Sequence, residues 1–143
     1  VKPVLVDTDI LSMFFRNNPN VVSHFRKYLV HHDKINLSII TYYEILSGLK
    51  HKDASKQLDM FLEFVKHNSI LPLTEESVTI SSDLYAGLRK SGNPIDDIDI
   101  LIAGIALSNN LALVTNNEEH FKNVKNLKIL NWSTKTATLP NSG

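Results

Sequence analysis

Two carboxylates interrupt the apolar run VLVDTDIL, residues 4–11. Asp7 follows three apolar residues, Thr8 separates it from Asp9, and apolar residues then resume. An acid at the end of a buried strand carries a desolvation penalty of several kcal/mol unless something compensates it. A helix cap, a cationic side chain or a metal ion could do so. Other acids stand at comparable places. Glu44 lies one turn into the helical run after a second strand-like segment, and Asp96, Asp97 and Asp99 crowd the start of the apolar run DILIAGIAL. Asn117 lies just past a further strand, behind Thr115. Oxygen donors delivered by four separate segments suit a hard cation such as Mg2+ or Mn2+.

Each acid also has a purely structural reading. Thr41-Tyr42-Tyr43-Glu44 matches a capping box, in which Thr at the N-cap and Glu three residues on satisfy free amides. Asp96 fits an N-cap, and Asp97 and Asp99 fit the favourable charges of a first helical turn. Asp9 can face solvent or cap the helix that begins beside it. Asp99 is harder to dismiss, because nearly everything after it is apolar. Asp7 is hardest, because an unpaired charge at the end of a central strand is costly. The six histidines form no HExxH pair. His31-His32 suits a helix end, and His120, beside Phe121, reads as a surface or supporting side chain near the acids. No Gly-rich phosphate loop and no GxSxG elbow is present.

The elements that must position these residues alternate short β-branched runs with longer helical ones. Strands are expected at 3–6, 35–40, 70–73, 111–114 and 128–132, with Pro72 marking an edge strand. Helices are expected at 8–15, from Pro19 after Asn18, and at 41–51, 53–67, 75–90, 96–109 and 118–123. The stripe Ala54, Leu58, Phe61, Leu62, Val65 gives the fourth an apolar face. Val78, Leu84, Tyr85 and Leu88 are expected to face inward from the fifth. Alternating strands and helices imply a parallel sheet covered on both faces, and such sheets carry their sites beyond the carboxyl ends of the strands. The expected organisation is one domain over 1–134 with a polar tail, 135–143.

Composition narrows the classes further. The 143 residues include no cysteine, which excludes disulfides and thiolate metal sites. Fifteen basic and fifteen acidic side chains give zero formal charge, unlike a coat-like nucleic-acid binder. No apolar run approaches a membrane span, and the amino-terminal residues lack the layout of a secretory signal. A soluble cytoplasmic protein is the expectation.

The blocks VLVDTDIL, SIITYYEILSGL, GNPIDDIDILIAGIAL and LALVTNNEEHF followed by NLKILNW resemble, in order and spacing, those of PIN-domain ribonucleases, in particular VapC-like toxins of bacterial toxin–antitoxin pairs. The resemblance covers about residues 3–132. It implies a three-layer α/β/α sandwich with a central parallel sheet and Mg2+- or Mn2+-dependent cleavage of RNA to 5′-phosphate and 3′-hydroxyl ends. It also implies neutralisation by a small antitoxin, and homodimers. It assigns the catalytic, metal-holding acids to Asp7, Glu44 and Asp99, and a hydrogen-bonding support to Thr115. The fourth position, often an acid, is Asn117 here, and Asp9 stands where Asn or Ser is common. Asp96 shares a helical face with Asp99 and joins the set as an auxiliary ligand. Arg16, Lys50, Lys52, Arg89, Lys90 and Lys122 are candidates for contacting substrate phosphates.

Two other classes remain. VDTDIL also resembles the DxD start of haloacid-dehalogenase-type phosphatases, with Asp7 as nucleophile and Asp9 as acid/base. Against it, Leu11 replaces the usual Thr or Val, and Glu44 is left without a role. The third class is a non-catalytic α/β interaction domain that keeps the acids for structure.

Overall fold

A computed structural model describes residues 2–135, so most of the expected tail, from residue 136 on, lies outside the described residues. The chain order is β1 (Val4–Val6), α1 (Thr8–Phe15), α2 (Pro19–His31), β2 (Asn36–Ser38), α3 (Ile39–His51), α4 (Ser55–Lys66), β3 (Ser69–Leu71), α5 (Glu75–Lys90), α6 (Asp97–Ser108), β4 (Ala112–Val114), α7 (Glu118–Phe121) and β5 (Ile129–Leu130). The strands pair in parallel in the order β3-β2-β1-β4-β5. β3 is an edge strand, as Pro72 implies.

Strand pleating sorts the core into two layers. Val4, Val6, Ala112 and Val114 point to one face, against Ile10, Leu11, Val21, Phe25 and Phe61 from α1, α2 and α4. Leu5 and Leu113, in register with each other, point to the opposite face, against Ile102, Ile105 and Ala106 of α6 and Phe121 of α7. The result is the expected α/β/α sandwich. No helix among the described residues is long and apolar enough to cross a membrane.

Two readings of the sequence are corrected. The strand expected over 35–40 stops at Ser38, whose side chain accepts the Thr41 N–H at 3.0 Å and caps α3. Thr41 is therefore not the cap, and the capping box with Glu44 does not form. A reciprocal box does form at α5, between Thr74 and Ser77. On α5, Val78 and Tyr85 are 42% and 40% exposed rather than turned inward. The inward stripe is Ser77, Ser81, Leu84 and Leu88, because α6 approaches so closely at Gly104 that only small side chains fit between the two helices.

α5 and α6 pack along each other: Ser81 Oγ donates to the Ile100 carbonyl at 2.9 Å, and the short segment 91–96 joins the two helices. Asp96 and Asp99 stand at the start of α6, where the charge on Asp99 acts on Asp7.

Candidate functional site

Strand order reverses at β1, with β2 and β3 on one side and β4 and β5 on the other. A parallel sheet opens a crevice at such a point, beyond the carboxyl ends. Asp7 stands there, 4% exposed, as the N-cap of α1. Its Oδ1 accepts the Thr8 N–H at 2.8 Å, and its Oδ2 accepts the hydroxyl of Thr115, buried at the end of β4, at 2.8 Å. The Thr115 Oγ1 in turn accepts the Asn117 N–H at 3.0 Å, which ties the β4–α7 turn to the acid. Burial pushes the Asp7 carboxyl up to about 7, and the charge on Asp9 adds to the effect. The two hydrogen bonds oppose it, and the charge on Asp99 raises it further. The structure thus makes Asp7 both a cap and a strained charge.

Glu44 reaches the same crevice through a relay of hydroxyls. Thr8 Oγ1 lies 2.6 Å from Glu44 Oε1 and 2.9 Å from Thr41 Oγ1. A carboxylate only accepts, so Thr8 donates to Glu44 and accepts from Thr41. Asp99, at the start of α6 with its side chain 15% exposed, has Oδ2 at 2.9 Å from His120 Nδ1. Burial raises its pKa, while the bond from His120 and that ring's charge lower it. Asp9 is engaged at both oxygens: Oδ1 accepts the Ile10 N–H at 2.7 Å and Oδ2 the Asn116 N–H at 2.9 Å. Burial raises its pKa too, against those bonds.

The remaining candidates divide by position. Asp96 has N-cap backbone geometry but its side chain makes no cap bond, and the Asn117 side chain makes none to α7. Arg16 and Lys52 line a groove of about 360 Å³ that runs from Thr8 and Glu44 over Phe15, Ile45, Leu49 and Phe61 to Met60. Lys50 is exposed on α3. Lys122 is bound to Glu119 at 2.7 Å, one turn past the acids. Arg89 and Lys90 lie in the last turn of α5, and Arg89 lies 4.5 Å above the ring of Tyr85.

The donor chemistry suits a hard divalent cation. All the candidate ligands are carboxylates, and Asp7 keeps a free lone pair on each oxygen after its two hydrogen bonds. Asp7, Asp9 and Asp99 repel one another, and a cation between them relieves that. Among the described residues, however, no three acids or histidines already converge on one point at ligating distance. Asp7 and Asp99 interact directly through their charges, whereas Glu44 is joined to Asp7 through Thr8. Sequence reasoning overlooked Thr8 and placed His120 only loosely. The sign of Thr8 was its position between two acids, and that of His120 was its closeness to the chain turn that carries Asn117.

A model of the PIN domain matches residues 4–127. Ribonuclease VapC1 of Haemophilus influenzae is 27% identical over 130 residues, covering 90% of this chain and 97% of the relative. Ribonuclease VapC1 of Methanocaldococcus jannaschii is 31% identical over 122 residues, covering 85% of this chain and 81% of the relative. The crystal structure of VapBC2 from Rickettsia felis, bound to a DNA fragment from its promoter, contains a similar chain with a TM-score of 0.80 and 26% identity, covering 90% of this chain and 98% of that one.

Proposed function

Because the chain belongs to the PIN-domain family, we propose that it is an endoribonuclease that depends on Mg2+ or Mn2+, acting in the cytoplasm as the toxin of a toxin–antitoxin pair. The observation that carries this reading is the buried Asp7 at the switch point of the sheet, with Asp99 and Glu44 held around it by Thr115, Thr8 and His120. The nuclease unit is residues 1–134.

Asp7, Asp99 and Glu44, with Asp96 beside them, are the residues that would hold the cation. Such an ion supplies positive charge to the scissile phosphate and makes a water a better nucleophile at neutral pH. The chain's own groups do the rest. Thr115 and the Thr8 amide fix the rotamer of Asp7, the Thr8 hydroxyl fixes Glu44, and His120 orients Asp99. Arg16 and Lys52 attract the strand along the groove beside Glu44, while Lys50 and Lys122 add cationic surface near it. Water adds to phosphorus, the P–O3′ bond breaks, and the products carry a 5′-phosphate and a 3′-hydroxyl. Splayed single-stranded or loop RNA suits so small a crevice.

The groove that starts at Glu44 also fits the antitoxin. Its apolar floor offers burial to a short segment of a small partner, and a segment seated there covers Glu44. A second copy of the chain completes the assembly, with Val78 and Tyr85 as exposed apolar surface for it.

The test is to incubate the purified protein with total RNA and sequence the fragment ends. Fragments with 5′-phosphates are expected with Mg2+ or Mn2+ and none with a chelator. No cleavage, or cleavage indifferent to chelation, overturns the reading.

Asp9 separates this reading from the phosphatase. Both its oxygens accept backbone amides, which commits it to holding the turn at Asn116 rather than to proton transfer. Asp9→Asn is expected to lower RNA cleavage only about 2–10-fold, and to change stability little, because the loss of one hydrogen bond, about 1 kcal/mol, is offset by relief of the repulsion on Asp7. A phosphatase that protonates its leaving group through Asp9 would lose all activity. Initial rates and a denaturant melt measure the two effects.

A further inference from the structure

The edge of the sheet opposite the acids is built differently. Val4, Ala112 and Lys128 lie at the amino ends of β1, β4 and just before β5, and they open into a hollow of about 540 Å³ against α2. Its floor is apolar, with Leu130 and Trp132, and Val30 on its rim is 76% exposed. Lys2, His24, Lys27, His31 and Lys128 line it, and among the described residues no acidic side chain does. Asp33, the nearest acid along the chain after His31, is not part of the lining. The chain as a whole has zero formal charge, so a lining with three lysines and no acid is a local concentration of positive charge.

The basic groups crowd one another. Burial lowers the pKa of His24, the bond to the Thr134 carbonyl opposes this, and the charge on Lys27 lowers it again. His24 lies parallel to the indole of Trp132, with 5.9 Å between ring centroids and 1° between planes. Tyr28 is locked beneath by the Val4 N–H, which donates to its hydroxyl at 3.1 Å. The walls are thus apolar, and the rim is cationic. A run of phosphates is the occupant that this charge pattern complements, and a single strand also brings bases to lie on the apolar floor.

We propose that this hollow is a second RNA-binding site, which holds the phosphate backbone of the substrate at a distance from the point of cleavage. The inference rests on the ribonuclease reading for the identity of the polyanion. Lys2 and Asp7 are five residue steps apart, about 16 Å at strand rise, so only an RNA of several nucleotides reaches both edges. The hollow therefore acts on binding of long substrates and leaves the chemistry alone.

The variant Lys27→Gln/Lys128→Gln removes two exposed cations without touching the core. It is compared with the wild type on a 20-nucleotide single strand and on a tetranucleotide from its centre. Binding is followed by fluorescence anisotropy in chelator over a series of salt concentrations, and cleavage with Mn2+. Affinity for the long strand is expected to fall about tenfold, with a salt slope shallower by about 1.4, at roughly 0.7 per lost phosphate contact on a single strand. KM for the long strand rises and kcat holds, while the tetranucleotide is cleaved as before. Equal affinity and slope for both proteins overturn the proposal. A change in native mass by light scattering, with RNA affinity unchanged, also overturns it and marks the hollow as an interface between copies. Failure of the wild type to cleave either RNA removes the ribonuclease reading, while the binding arm still decides whether the hollow holds RNA.

Discussion

Asp7→Asn is expected to abolish RNA cleavage and, in the same protein, to raise the melting temperature of the metal-free form at pH 8. The two effects have one cause. Asp7 is buried at the switch point beside Asp9 and Asp99, and its carboxyl is held up at about 7 against a reference of 3.8. A folded-state pKa above the unfolded one means that the native state prefers the protonated form. The stabilisation from that proton is complete below about pH 3.8 and is lost as pH rises through about 7. The wild type at pH 8 therefore carries a penalty with a ceiling of about 4 kcal/mol, at 1.36 kcal/mol for each of about three units. Asparagine keeps the acceptor for the Thr8 N–H and has no charge to bury, so its melting temperature is expected to change little between pH 5 and 8. Added Mg2+ or Mn2+ should raise the melting temperature of the wild type by binding the native state, and that of the variant much less. Cleavage should fall about 100–1,000-fold, the scale on which a preorganised electrostatic group acts. Thermal melts in chelator at the two pH values, beside initial rates on RNA, measure all of this. A large drop in melting temperature would mean that Asp7 serves the fold alone.

What could be read from the sequence and what could not divide along a physical line. Each helix and strand of the sandwich announces itself locally, through β-branched runs, the Asn18-Pro19 start of α2 and the apolar α6. Asp7 is legible for the same reason: an acid directly after three apolar residues conflicts with its surroundings wherever the strand lies. Side chains whose neighbours come from distant segments are not legible in this way. Thr41 matched a cap, and only the fold shows that Ser38 holds that place and leaves Thr41 to pass a hydrogen bond through Thr8 to Glu44. Val78 and Tyr85 fitted a helical stripe, but the packing partner of α5 prefers serines.

That preference gives the second large effect. Gly104→Ala is expected to lower stability by about 2–3 kcal/mol, in the range for overpacking a tight core and net of the helix propensity that alanine adds. A Cβ at Gly104 would stand 2.0 Å from Ser81 Oγ and 2.5 Å from the Ser77 carbonyl oxygen. The hydroxyl can rotate, but only by giving up its 2.9 Å bond to the Ile100 carbonyl. The backbone oxygen cannot move unless α5 and α6 part. At this chain length the melting temperature should fall by about 4 °C per kcal/mol. Gly87→Ala on the same helix α5 is the control: nothing lies within 4 Å of its new Cβ, so it should gain roughly 0.5–1 kcal/mol from propensity. Adding Ser81→Ala to Gly104→Ala removes the nearest clash and leaves the carbonyl, so the rescue should be partial. The helix that is pushed away is the one that carries Asp99 against His120 and toward Asp7. Cleavage by Gly104→Ala, measured well below its melting temperature, should therefore fall several-fold while Gly87→Ala keeps the wild-type rate. Wild-type cleavage by a folded Gly104→Ala would show that the site tolerates displacement of α6, and that the close packing serves stability alone.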